Sequence, residues 1–233
     1  MANCMIDARL LSAASFVRAG AVLADIGTDH GYLPVFLLSE GRICRAVLSD
    51  VNEGPLASAA QNVRSAGLSD KCELILADGA GALAGLGITD YAICGMGGEL
   101  IADIIARAPH LRDASVRLIL QPMSRQEHLR RALYSLGFTI VEERYSSSDG
   151  KHYVCIAAEY TATPCEISPS LAYLGPSAEH ADDRESYLAY LTLKRNGLVR
   201  ATDGRKEAGK PDAALSLALE IINSEISRIT GSK

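Results

Sequence analysis

The sequence predicts an α/β fold, a parallel sheet covered by helices and followed by a helical hairpin. Short apolar runs alternate with amphipathic segments over the first two thirds of the chain, an alternation typical of βαβ units. Three of these runs lead into an aspartate, at Asp25, Asp50 and Asp78. Towards the C-terminus, apolar residues recur at spacings of three and four, which is typical of helices that pack on each other.

Composition indicates a globular protein. The chain has 233 residues, of which 48% are hydrophobic and 22% charged, enough for one main domain with a small appendage. No apolar run approaches the ~20 residues that span a bilayer, and no signal-peptide pattern is visible. We therefore expect a cytoplasmic protein without a membrane partner. The net charge of −5 argues weakly against a surface that binds nucleic acid throughout.

Three common classes of enzyme are disfavoured. The six cysteines form no CxxC motif and no Cys/His pair, so we expect buried thiols and no metal site. The chain also lacks a Walker loop and a Ser/His/Asp series. Hydrolase, kinase and metalloenzyme functions are therefore not favoured. The cysteines are Cys4, Cys44, Cys72, Cys94, Cys155 and Cys165.

The predicted elements follow one another in βα order. We predict helices at 8–16, 32–40, 52–66, 99–106 and 126–136, and strands at 21–25, 45–50, 72–77, 91–94 and 117–120. Such alternation gives a parallel sheet with helices on both faces. Two later strands, at 139–144 and 152–159, are joined by a short polar loop, which suggests an antiparallel edge.

The C-terminal part is predicted to form a separate unit. A stretch with three prolines at 161–176 has the composition of a linker, so we predict domains at 1–160 and 161–233. Beyond it, Asp203-Gly204 and Gly209-Lys210-Pro211 are expected to form turns between helices. The apolar stripe along the last helix can pack within one chain or between two chains, so the protein is expected to be a monomer or a weak homodimer. The residues of this stripe are Leu215, Leu219, Ile222, Ile226 and Ile229, opposite Tyr187, Leu191 and Leu198.

The segment Asp25-Ile-Gly-Thr-Asp-His-Gly31 is a strand end followed by a glycine turn that enters a helix. Gly27 and Gly31 would let a ligand approach the backbone, and the helix start offers free N–H groups. A tight turn without a ligand explains the segment equally well when it is considered alone. His30 could exchange a proton near neutral pH, although a lone histidine is more often structural.

The order of the acids favours a nucleotide site. Asp50 closes the second strand about twenty residues after the glycine turn, where α/β folds place the carboxylate that binds ribose. A dinucleotide site is the competing interpretation, but its fingerprint is GxGxxG, and the carboxylate of Asp29 would repel a pyrophosphate. A cationic sulfonium with an amino-acid tail suits that carboxylate better, so the charge favours S-adenosylmethionine.

Two more segments lie where an acceptor would bind. Cys94-Gly-Met-Gly-Gly98 follows the fourth strand, and its glycines either admit a substrate or make a tight turn. Gln121 ends the fifth strand and could hydrogen-bond a base or cap the turn. An arginine-rich stretch could contact phosphates or be a solvated helix face. It contains Arg107, Arg112, Arg117, Arg125, Arg130 and Arg131.

The sequence resembles the bacterial tRNA (adenine-22-N1)-methyltransferase family along nearly its whole length. The resemblance rests on four segments in order, Asp25-Ile-Gly-Thr-Asp-His-Gly-Tyr-Leu-Pro34, Leu76-Ala-Asp-Gly79, Cys94-Gly-Met-Gly-Gly98 and Leu120-Gln-Pro122, and on the helical hairpin. It implies a Rossmann-like class I methyltransferase sheet with a coiled-coil-like hairpin. It also implies methyl transfer from S-adenosylmethionine to N1 of adenine 22 in tRNA.

The resemblance also implies roles for individual residues. Asp50 would bind the ribose, and Asp78 with Gly79 the adenine. We assign Asp29 and Gln121 as catalytic, Asp29 because a carboxylate there would stabilise the cationic product ring. The acceptor base would lie beside the glycines of 95–98. The cofactor set is Asp25, Gly27, Thr28, Asp29, His30, Gly31, Asp50, Asp78, Gly79, Gly95 and Met96.

One position departs from the family pattern. Its members usually have Gln-Pro-Asn after the fifth strand, whereas this chain has Gln121-Pro122-Met123. If the asparagine contacts the base, that contact differs here. Two alternatives stay open, a methyltransferase with a different acceptor and a non-catalytic tRNA-binding protein, because cofactor motifs do not encode the acceptor.

Overall fold

A computed structural model describes residues 6–176 and 183–231. One seven-stranded sheet runs through the molecule, in the order β3-β2-β1-β4-β5-β7-β6. Its strands are β1 (Ala21–Ile26), β2 (Ile43–Asp50), β3 (Cys72–Leu76), β4 (Asp90–Gly97), β5 (Arg117–Ser124), β6 (Phe138–Ser148) and β7 (Lys151–Tyr160). The helices are α1 (Ala8–Phe16), α2 (Tyr32–Ser39), α3 (Glu53–Ser65), α4 (Gly98–Ala106), α5 (Gln126–Ser135), α6 (Pro169–Leu174), α7 (Arg184–Glu207) and α8 (Ala213–Thr230).

The pairing of the strands confirms the predicted fold class. β1 to β5 are parallel neighbours, while β7 pairs antiparallel with both β5 and β6, so the antiparallel edge is confirmed. The chain moves outward from β1 to β3 and then returns to β4 on the other side of β1. Such a reversal opens a crevice at the carboxyl ends of β1 and β4, where ligands of α/β folds bind.

Each face of the sheet is covered by its own apolar core. Leu33 of α2 and Val63 of α3 pack in one core with α1. Ile105 of α4 and Leu129 of α5 belong to the core on the opposite face. The central strands supply both cores because successive side chains point to opposite faces. Leu23, for example, belongs to the first core and its neighbour in β1, Ala24, to the second.

The C-terminal helices share the second core. Tyr187 and Leu191 of α7 and Ile222 of α8 are buried there, so the predicted stripes do face inward. A buried ion pair lies next to them, in which Arg130 Nε of α5 is 2.7 Å from Glu143 Oε1 of β6. The division into domains at 160 stays a prediction.

The stretch predicted as a linker contains the short helix α6, which is capped by the hydroxyl of Ser168 through a hydrogen bond from Leu171 N. One expectation for the C-terminal part is wrong. Asp203 and Gly204 do not form a turn but lie inside α7, since one glycine costs a helix only about 1 kcal/mol. The turn between the helices occurs at Gly209, which has a φ of +67°. Cys4 lies outside the described residues.

Candidate functional site

The turn after β1 forms the floor of the site. Gly27 and Gly31 have φ values of +73° and +66°, in the left-handed region that favours glycine. A β-carbon on Gly27 would collide with the methyl group of Met96, and one on Gly31 would come within 2.8 Å of Leu48. The N–H groups of Gly27 and Thr28 donate to Ser49 O at 2.8 and 3.0 Å. These bonds fix the turn to β2.

A cavity of about 160 Å³ opens between this turn and α1. Asp25 lies in it with 7% of its surface exposed. Burial raises the pKa of its carboxyl group to about 6, helped by the charge of Asp50, while Thr28 and Arg9 act in the opposite direction. The cavity is lined by Arg9, Leu10, Asp25, Gly27, Thr28, Asp29, His30, Gly31, Tyr32, Leu33 and Cys94.

Arg9 is a site residue that the sequence analysis missed. It belongs to α1, and its Nη1 donates to Gln121 Oε1 at 3.0 Å. The same oxygen accepts a hydrogen bond from Gly95 N at 3.1 Å. Gln121 is completely buried, so its carbonyl group links α1 to β4 and β5. The contact between α1 and β5 joins residues that are 112 positions apart, so the spacing of nearby residues could not predict it.

The end of β4 approaches the same edge. Burial raises the pKa of the Cys94 thiol to about 12, with a smaller contribution from Asp25, so this thiol is neutral at pH 7. The glycine run, predicted to follow the fourth strand, is part of β4 as far as Gly97, and α4 begins at Gly98. A β-carbon on Gly98 would lie 2.8 Å from Ser124 O, so glycine there lets the start of α4 lie against the end of β5.

The two remaining aspartates lie further along the edge. Asp50 accepts a hydrogen bond from Asn52 N at 2.7 Å. Asp78 is 3.2 Å from Arg107 Nη1 and its side chain is 68% exposed. Gly79 has a φ of +72° and lies beside Ile104. The structure thus gathers the turn residues around one cavity, while Asp50 and Asp78 are outside its lining.

Several of the arginines in the predicted basic stretch already have acidic partners. Arg117 Nη2 lies 2.6 Å from Glu159, and Arg125 Nε lies 3.4 Å from Glu99. Arg130 is buried against Glu143, and Arg107 is bound to Asp78. These partners reduce the positive charge that this stretch presents to solvent.

Comparison with known proteins identifies the family. A family model described as a methyltransferase domain matches residues 6–156. The chain belongs to this family. The tRNA (adenine(22)-N(1))-methyltransferase of Bacillus subtilis is 33% identical over 154 residues, which are 66% of this chain and 65% of that protein. The alignment therefore spans just under two thirds of the curated relative.

The similarity of this methyltransferase to solved structures covers nearly the whole chain. A Streptococcus pneumoniae protein in complex with S-adenosyl-L-methionine is 34% identical, with a TM-score of 0.83, over 95% of this chain and all of that one. The m1A22 tRNA methyltransferase TrmK of B. subtilis is 25% identical, with a TM-score of 0.79, over 98% and 99%. The resemblance in the motifs is thereby confirmed.

The charges in the methyltransferase cavity fit a zwitterionic ligand. Asp25 and Arg9 both line it, so a carboxylate and a guanidinium face one small space. This pair matches the ammonium and carboxylate groups of an α-amino acid.

Within 6–176 and 183–231, no cluster of His, Cys, Asp and Glu suits a metal ion. In the same described ranges, no helix has the length and apolar character needed to cross a membrane.

The buried carboxylate predicts an unusual effect of Asp25→Asn on stability. Because burial raises the pKa of Asp25 from 3.8 to about 6, the folded state carries a poorly solvated charge above pH 6. Removing it should raise the free energy of unfolding at pH 7.5 by up to about 3 kcal/mol. The gain should shrink as pH falls from 6 through 3.8, since the carboxyl group becomes protonated in both states only below the lower pKa.

Urea denaturation of the two ligand-free proteins across this pH range measures the difference. Asp29→Asn is the matched control, since its side chain is 77% exposed and its loss should change stability little at any pH. A difference between the native protein and Asp25→Asn that does not vary with pH would contradict this account.

Proposed function

We propose that this methyltransferase transfers a methyl group from S-adenosylmethionine to N1 of adenine 22 in tRNA. The observation that carries the proposal is that buried Asp25 and half-buried Arg9 line one cavity behind the glycine turn. This pair lies in a chain that matches a structure containing S-adenosyl-L-methionine along 95% of its length. The acceptor is proposed from the B. subtilis relative, which is named for that adenine.

The chain offers a place for each part of the cofactor. Asp25 would bind the ammonium group and Arg9 the carboxylate, while Gly27, Thr28 and Gly31 leave the backbone open to the methionine portion. When bound, the cofactor supplies an electrophilic methyl group on a sulfonium. Further along the edge, three more residues of the predicted set would bind the nucleoside. These are Asp50 for the ribose and Asp78 with Gly79 for the adenine.

The chemistry demands positioning more than proton transfer. Adenine N1 has an in-plane lone pair and attacks the methyl carbon without losing a proton, so catalysis depends on alignment. The product ring is cationic, and the carboxylate of Asp29 would stabilise that charge. Gln121 acts as a positioning residue, because its buried amide holds both Arg9 and Gly95. Gly95 and Met96 border the space left for the base.

The hairpin supplies a second contact surface for tRNA. Arg200, Arg205, Lys206 and Lys210 are exposed on the distal half of α7 and the following turn, and cations there can neutralise phosphates. Lys194 is engaged elsewhere, since its Nζ is 2.8 Å from Gln126 Oε1. We further propose that the protein acts in the cytoplasm, as a monomer or weak dimer, with the hairpin packed as a coiled coil.

Methylation of unmodified tRNA tests the function directly. Purified protein with S-adenosylmethionine and a tRNA carrying adenine at position 22 should yield 1-methyladenosine in digested nucleosides, measured by mass spectrometry. A tRNA with guanine at that position should yield none. Cofactor binding without methylation of either tRNA would overturn the acceptor. It would then favour another substrate, or the non-catalytic tRNA-binding protein considered above.

The same assay tests Asp29. Asp29→Asn keeps the shape of the side chain and removes its charge, so kcat should fall by at least ~10-fold, about 1.4 kcal/mol in the barrier. Cofactor affinity should change far less. Asp149→Asn, in the turn between β6 and β7, is the control with the same chemical change outside the site. A fall in kcat of less than ~10-fold in Asp29→Asn would refute the catalytic role of Asp29.

Charge reversal tests the hairpin. The double variant Arg200→Glu/Arg205→Glu should weaken tRNA binding. The slope of log Kd against log salt concentration should fall by roughly one or more. Cofactor affinity should remain as in the native protein. The double variant Arg64→Glu/Lys71→Glu is the control with the same change in charge, because both residues are exposed and lie beside β3, at the edge of the sheet away from β6 and β7, on which α7 packs. Equal losses in both proteins would show a nonspecific charge effect and refute the assignment.

A further inference from the structure

The cavity has an exposed pair of aromatic rings at its rim. His30 and Tyr32 stack with their ring centroids 5.1 Å apart and their planes at 26°. The side chain of His30 is 42% exposed, and Tyr32 is 45% exposed. The other ring pairs found in 6–176 and 183–231 each include a buried ring, namely Tyr91, Phe138 or Tyr145. The pair at the rim contributes no buried ring to either core.

The backbone holds these rings in place despite their exposure. His30 O accepts a hydrogen bond from Asn62 Nδ2 at 2.9 Å, and its Nε2 is 3.4 Å from Asp29 Oδ2. Gly31, between the two rings, has left-handed backbone geometry and begins α2. A planar ligand that covers the pair would therefore find it already ordered, at little cost in conformational entropy.

The position of the pair points to the acceptor rather than to the nucleoside of the cofactor. Both rings line the cavity that holds Asp25 and Arg9, and neither Asp50 nor Asp78 lines it. In the proposed function, this cavity receives the amino-acid end of the cofactor. That end is joined to the sulfonium, which carries the reactive methyl group. The rim of this cavity therefore lies within reach of a base that approaches the methyl group.

We infer that Tyr32, supported by His30, is a stacking platform for a nucleobase of the tRNA next to the reacting methyl group. The inference rests on the proposed function and adds a contact to the acceptor. A base face is favoured over a phosphate because the carboxylate of Asp29, which lies against His30, would repel an anion. Every nucleobase presents a π face, so such a contact tolerates any sequence.

A single fluorophore can report the contact. The chain contains no tryptophan, so Tyr32→Trp places the only indole at the platform. Addition of tRNA, with S-adenosylhomocysteine present, should quench its fluorescence as a base stacks on it. Val141→Trp is the matched control, since Val141 is 48% exposed on β6, level with the start of β5. Its emission should stay unchanged at tRNA concentrations that quench the Tyr32→Trp variant.

Affinity measurements complete the test. Tyr32→Ala should weaken tRNA binding by roughly five- to a hundred-fold and change the affinity for S-adenosylhomocysteine far less. Tyr32→Phe, which keeps the ring, should bind tRNA like the native protein. A tRNA that is abasic at position 22 separates the two sources of the base. If this tRNA still quenches the fluorescence of Tyr32→Trp, the stacked base is a neighbour of position 22. If quenching is lost, the stacked base is adenine 22 itself. Either result supports the platform.

Two results would overturn the inference while leaving methyl transfer intact. One is quenching of the Tyr32→Trp variant by S-adenosylhomocysteine alone, with no further change on tRNA addition, which would assign the rings to the cofactor. The other is tRNA binding by Tyr32→Ala with native affinity. If the native protein binds no tRNA at all, the proposed function fails as well, and the platform with it.

Discussion

The C-terminal half of the molecule depends on the buried ion pair between Arg130 and Glu143. Both side chains are fully inaccessible to solvent, and burial of two charges is tolerated only where further hydrogen bonds satisfy them. The Tyr145 hydroxyl donates to Glu143 at 2.9 Å, and Arg130 Nη1 donates to Ala172 O at 2.9 Å. The ion pair is therefore complete only when α6 lies on α5 and β6.

This packing connects the hairpin to the catalytic edge. Lys194 of α7 binds Gln126 Oε1 in the first turn of α5, and Gln126 Nε2 donates to Pro122 O at 3.2 Å. Pro122 follows Gln121, which holds Arg9 and Gly95. A continuous set of hydrogen bonds thus runs from the helical hairpin to the cavity. In the proposed function, one rigid unit would present both the tRNA-binding surface and the cofactor site.

The sequence predicted the central sheet well because its signals are local. Buried parallel strands appear as short apolar runs, and the aspartates mark their carboxyl ends, so these local signals predict the position of the glycine turn. What local signals could not show was the pairing of distant segments. Arg9 reaches Gln121 across 112 positions, and Asp78 has an ion-pair partner, Arg107, directly after α4. The turn predicted at Gly204 is absent because a glycine, which often ends a helix, can also be tolerated within one.

The cavity shows why the turn after β1 carries both glycines and a buried acid. Close approach of Met96 and Leu48 leaves no room for side chains at Gly27 and Gly31, so packing within the protein requires glycine at both positions. That close packing excludes water, and the exclusion of water raises the pKa of Asp25. A poorly solvated carboxylate destabilises the ligand-free protein but attracts a cation more strongly than a hydrated one. The arrangement that weakens the empty fold is thus the one that would favour an ammonium group.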